Sequence, residues 1–106
     1  MDCTELIRKL LDGFAAGTRF ENNGRVWVRR YFAGRLRGAT SEDGRWQIIE
    51  QNPQKNSEWA HLARSGRQVF QMLDLSKPGR WGRPGQYYGV VVDGVLRRYT
   101  GMRGAA

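Results

Sequence analysis

The sequence predicts an α+β domain in the order α-β-β-α-β-β-β. Its sheet is expected to be mostly antiparallel and curved, with about five strands and two short helices packed on one face. Three observations carry this expectation. Residues 4–15 repeat apolar side chains at helical spacing. Later segments alternate with period two between turn signals such as Asn22-Asn23-Gly24 and Asp93-Gly94. A short capped segment, Ser57 to Gly66, interrupts the strands. A chain of 106 residues, 40% hydrophobic, suits a single domain, 1–106, with one modest core.

In the first helix, 4–15, Leu6, Ile7, Leu10, Leu11 and Phe14 form the apolar stripe. Asp2 or Thr4 can cap its start, and Gly17 is placed to stop it. A helix this short needs a sheet to pack on. Thr18 to Phe20 can add a brief extra strand before the Asn-Gly turn. A long strand is then expected over 25–37. One parity holds Val26, Val28, Phe32 and Leu36, and the other holds Arg25, Trp27, Arg29, Tyr31, Arg35 and Arg37. Arg30 and Gly34 interrupt the apolar side and mark a bulge or bend. Ser41 to Gly44 reads as a hairpin loop, followed by a return strand over 45–50.

Asn52-Pro53 ends that strand, and Ser57 caps a helix over 58–64 with Trp59, Leu62 and Ala63 on its buried side. The strand 67–75 is partly apolar on both parities, as a central strand covered on both faces would be. Residues 76–85 hold three Gly and two Pro and form the clearest loop. Residues 87–92 and 95–100 form a hairpin about Asp93-Gly94, with Val92 opposite Val95, Val91 opposite Leu96, Val90 opposite Arg97 and Tyr88 opposite Tyr99. The tail 101–106 is expected to fray.

The chain carries 18 Lys and Arg against 10 Asp and Glu, a formal net charge of +8. Residues 1–53 hold nine basic and seven acidic residues; residues 54–106 hold nine and three. Such a surplus points first to a polyanion, because cations that neutralise phosphates release counterions. Two places combine cations with aromatic rings. One is the strand face Arg25, Trp27, Arg29, Tyr31, Arg35 and Arg37; the other is the loop with Arg80, Trp81 and Arg83. Rings can stack bases while guanidinium forks hold phosphates. The alternative is that Trp27 and Tyr31 pack under a helix, the arginines lie at the rim, and Trp81 folds back on the sheet.

Reactive residues are scarce. His61 stands alone on the second helix, with Glu58 and Ser65 at helical spacing. Cys3 is a single cysteine, so no internal disulfide and no four-ligand zinc spacing can form. The Gly79 to Gly85 stretch lacks the Lys-Ser/Thr ending and following helix of a phosphate loop. No catalytic group, metal or cofactor is therefore expected.

The expected function is a small, non-catalytic module that binds nucleic acid. The alternatives are a protein-interaction or homodimerising domain, and a small-ligand pocket between a helix and the curved sheet. The beginning of the chain has no signal-like apolar run, and no segment is long enough to span a membrane. A cytoplasmic location without membrane contact is the expectation.

Overall fold

The computed structural model describes residues 1–99. It contains helix α1 (Thr4–Leu11) and strands β1 (Arg19–Asn22), β2 (Arg25–Phe32), β3 (Leu36–Ser41) and β4 (Trp46–Glu50). Helix α2 (Glu58–Arg64) follows, then strands β5 (Val69–Asp74), β6 (Gln86–Val92) and β7 (Val95–Arg98). The seven strands form one antiparallel sheet in which each pairs with the next in sequence. No helix is long and apolar enough to cross a membrane.

The architecture is α+β as expected, with two differences in the sheet. The brief strand before Asn23-Gly24 is a full edge strand, β1. The single strand expected over 25–37 is two strands, β2 and β3, joined at residues 33–35. Ala33 (φ 51°) and Gly34 (φ 76°) both take the left-handed conformation there. Phe32 pairs with Leu36, and Tyr31 with Arg37. A three-residue loop leaves partners four apart, so odd residues stay with odd and even with even. The alternation therefore runs through the turn without a break, as it would through one continuous strand.

Helix α1 ends at Leu11, not at residue 15. Cys3 occupies the N-cap without a side-chain cap, while the Asp2 carboxylate accepts from the Thr4 N–H at 2.9 Å. Its Leu6, Ile7 and Leu10 pack into a core with Trp27, Ala39, Ile48, Phe70, Met72, Val91 and Leu96. The segment before the helix runs along β7. The Leu96 N–H donates to Met1 O at 2.8 Å, and the Cys3 N–H donates to Gly94 O at 2.6 Å. At the other end, Arg29 of β2 donates to the carbonyls of Lys9 (2.6 Å) and Leu10 (3.3 Å). Eight helical residues rise about 12 Å, whereas β2 and β7 would stand about 24 Å apart in a flat sheet. The sheet therefore curls toward α1.

The two helices lie on opposite faces, not together. Ser57 caps α2 by accepting from the Ala60 N–H at 3.1 Å. Ala60 is the fully buried residue of this helix, and the expected Trp59, Leu62 and Ala63 are half-buried beside it while Glu58, His61 and Arg64 are exposed. Trp59 faces Ile49, Gln71 and Leu73, which alternate with the core-facing Ile48, Phe70 and Met72. This second layer explains why all six residues of β5 are buried. The last hairpin has the expected register, with Val92 opposite Val95, Val91 opposite Leu96 and Val90 opposite Arg97, and the Tyr99 N–H donates to Tyr88 O. The expectation for residues 101–106, and for Thr100 as part of β7, lies outside the described residues.

Candidate functional site

The face opposite α1 carries a cleft of about 600 Å³, within the range usual for small-molecule sites. Strands β4 and β5 supply its floor through Gln47, Ile49, Gln71 and Leu73. Helix α2 and the segment before it supply one wall, with Trp59, Lys55 and Ser57. The opposite wall is Arg83 and Pro84 of the 76–85 loop with Tyr87 and Tyr99. The topology makes this arrangement. Six-residue β5 is central and buried, so the insertions on either side of it, α2 and the loop, border the same strip of sheet.

The floor is polar where a strand face would usually be apolar. Tyr99 donates from its hydroxyl to Gln71 Oε1 at 2.8 Å. Gln71 Nε2 donates to Gln51 Oε1 at 2.7 Å, and Gln51 Nε2 donates to Asn52 O at 3.1 Å. This relay fixes which way the Gln51 and Gln71 amides point. Gln47 stands outside it. Gln47 is 8% exposed, lines the cleft and makes no side-chain hydrogen bond with any described residue. The residue as a whole is largely buried, but its amide atoms keep contact with solvent in the cleft. Its two donors and one acceptor are open toward the cleft.

Arg83 has a similar deficit. Its guanidinium carbon lies 4.5 Å from the centroid of the Tyr87 ring, and its Nε is buried without a hydrogen-bond partner. The cation–π contact holds the guanidinium in place without using its N–H groups. Glu50 is the one acidic residue lining the cleft, and Arg37 engages it at 2.9 Å.

The nine residues singled out from sequence are not brought together. Trp27 is 4% exposed beneath α1, so its ring presents no stacking surface. Arg29 is committed to the end of α1 and to Thr18 Oγ1 at 3.0 Å, with its guanidinium over Phe20. Arg25 pairs with Asp43 at 2.6 Å. Arg37 pairs with Glu50, whose carboxylate also accepts the Arg37 backbone N–H; this pairing keeps the guanidinium pKa above its ordinary value. Arg35 reaches the side chains of Asn52 and Gln54. Tyr31 is half exposed and packs edge-on against Phe14. Arg80 lies in the exposed loop, and Trp81 is 90% exposed with φ 56°. Of the nine, Arg83 is the one that lines the cleft. The strand face read as Arg/aromatic is the face that α1 covers.

Sequence reasoning missed Gln47, Gln51 and Gln71. A signal was present, since Gln47 and Gln71 fall at strand positions that face one way and Gln51 continues the parity of Gln47 just past the end of β4. His61 is exposed on α2, and Cys3 is buried in the α1 core with its thiol pKa raised by burial. A second set of contacts lies on the α1 face beyond the helix. Arg98 stacks on Tyr88, Tyr88 meets Trp46 edge-on, and Arg45 stacks on Trp46 while pairing with Asp74 at 3.5 Å.

The sheet edges are partly occupied. Met1 bonds to Leu96 on the β7 side. On the β1 side the Lys9 ammonium donates to Glu21 O at 3.0 Å, and Arg29 reaches Arg19 O at 3.5 Å. Cations on edge carbonyls discourage strand addition. Set against protein-family models, curated protein sequences and solved structures, the chain matches none.

Proposed function

We propose that this protein is a non-catalytic binding module whose site is the cleft between α2, the 76–85 loop and the β4–β5 floor. The observation that carries this reading is Gln47. Folding leaves its carboxamide unpartnered and open to the base of a cleft of about 600 Å³, where a ligand with a matching donor and acceptor could pair with it. Trp59 and Tyr87 offer flat apolar surface on the two walls.

The same residues argue for binding without chemistry. The cleft contains no histidine or cysteine among its lining residues, and its carboxylate is held by Arg37. The remaining nucleophilic or basic side chains of the lining are Lys55, Ser57 and the two tyrosines; Ser57 Oγ accepts from the Ala60 N–H and the Tyr99 hydroxyl donates to Gln71. The small-ligand alternative from sequence thus becomes the leading reading, and a phosphate-binding strand face on β2 recedes behind it.

A screen of small polar heterocycles against the isotopically labelled full chain tests this. The side-chain NH2 signals of Gln47 and the indole signal of Trp59 should move together, with α1 signals unmoved. Ligands that bind while leaving both signals in place would refute the assignment of the site.

A further inference from the structure

Building on that cleft reading, we infer that the ligand is a nucleotide unit, a nucleobase bearing a phosphate, held by Gln47 at the base and Arg83 at the phosphate. A carboxamide presents an acceptor beside a donor. That pair matches the hydrogen-bonding edge of a nucleobase, as in amide recognition of adenine. Gln47 is 8% exposed and has its whole amide unpartnered among the described residues, so both halves of a bidentate contact are available.

The walls fit the rest of such a molecule. The Tyr87 ring already carries the Arg83 guanidinium at 4.5 Å, and base–aromatic stacking on Trp59 or Tyr87 needs no sequence-specific contact. Arg83 Nε is buried without a partner, and a guanidinium fork is suited to a phosphate. Lys55 adds a cation on the far wall. Strand pairing extends the positive character. Arg30 lies opposite Gly38, and Arg97 lies opposite Val90, both on the cleft side of the sheet. The same unit can arrive as a free nucleotide or as one residue of a single strand, whose neighbouring phosphates would then meet Arg30 or Arg97.

Calorimetric titration and labelled-protein spectra of the full chain should be run with the four nucleoside monophosphates, the matching nucleosides, and single-stranded and duplex oligonucleotides. Variants Gln47→Met and Arg83→Met accompany the wild type. A monophosphate or single strand should bind and move the Gln47 signals, with duplex about tenfold weaker or more. Gln47→Met should weaken binding by about tenfold or more while melting no lower than the wild type, because the amide makes no hydrogen bond within the fold for the substitution to break. Arg83→Met should weaken nucleotide binding and leave nucleoside binding unchanged. Tighter binding of the single strand than of any monophosphate identifies a polymer as the source; equal binding identifies the free nucleotide. Nucleosides binding as tightly as nucleotides, or Gln47→Met binding as well as wild type, would overturn the inference. If heterocycles without phosphate or sugar move the Gln47 signals while nucleotides do not, the nucleotide assignment falls and the cleft reading stands. If nothing moves them, both fall.

Discussion

Replacing Arg29 by Met separates a structural arginine from a phosphate-binding one. The Arg29 guanidinium donates to Lys9 O at 2.6 Å and Leu10 O at 3.3 Å, the carbonyls that the last turn of α1 leaves without helical partners. It also reaches Thr18 Oγ1 and covers Phe20. A hydrogen bond from a charged group to a partly buried carbonyl contributes about 1.5–3 kcal/mol. A cation at a helix C-terminus adds about 0.3–1 kcal/mol. Methionine retains the apolar stem, so the loss should be about 2–4 kcal/mol. For a domain of this size that lowers the melting temperature by about 10–25 °C. Urea unfolding followed by tryptophan fluorescence, with the m-value checked for two-state behaviour, measures it. Lysine at the same position should recover only part of the loss, because one ammonium cannot fork across two carbonyls. Arg25→Met, which removes an exposed pair with Asp43, should shift the midpoint far less. If Arg29→Met and Arg25→Met cost the same small amount, Arg29 does not hold the helix to the sheet.

Other outcomes follow from the same contacts. Gly38→Ala should destabilise by about 1–3 kcal/mol in thermal unfolding, because a Cβ there would run into Ile48 O and the Phe32 ring; an unchanged melting point would contradict the close approach of β3 and β4. Burial pushes the Asp74 carboxyl up, but hydrogen bonds from Ser76 and the Arg45 guanidinium outweigh it and hold its pKa below the usual carboxylate value. Its stabilisation is therefore present above about pH 4, the unfolded value, and is lost as pH falls through the lower folded value. Asp74→Asn should flatten the acid limb of the stability curve, and a limb parallel to that of the wild type would count against this account. Cys3 is buried with its thiol pKa raised by that burial, so a thiol reagent at pH 8 should label it slowly in the native protein and quickly in urea; equal rates would place it at the surface. With cations on the β1 edge and Met1 on β7, sedimentation at micromolar concentration should give a single monomeric species.

The elements most legible in the sequence were those whose signal is local. Asp93-Gly94 set a two-residue turn, and the register of β6 with β7 followed from it. Ser57 and the Trp59–Leu62 spacing marked α2 to the residue. The β2–β3 hairpin was not legible for two reasons. Ala33 adopts a positive φ that alanine seldom takes, and the three-residue loop preserves parity, so the alternation shows no fault. The placement of the helices on opposite faces was hidden because it depends on where the sheet curls, a long-range property. The same gap hid the site. Parity correctly grouped Arg25, Trp27, Arg29, Tyr31 and Arg37 on one face, but it carries no information about which face α1 covers. Three of those cations then found acceptors within the fold, and the Trp27 ring became core.

The charge asymmetry between the halves turns out to bear on the site more directly than strand parity does. Residues 1–53 have seven acids for nine bases, and residues 54–106 have three for nine. Arg8, Arg19, Arg25 and Arg37 pair with acids of the first half, and Arg29 is absorbed by carbonyls. In the second half, Asp93 takes Arg67, while Asp74 takes Arg45 from the first half. Arg80, Arg83, Arg97 and Arg98 are thus left without ion pairs among the described residues, and they fall in the loop and the last strand. Arg83 lines the cleft, and Arg97 lies on the cleft's side of the sheet. Acids spend cations locally, so a segment poor in acids is where cations remain to meet a ligand. If that reasoning holds, the salt dependence of ligand binding should fall when Arg83 or Arg97 is neutralised and stay unchanged when Arg25 is. Equal loss at all three positions would mean that the net charge, and not its placement, governs binding.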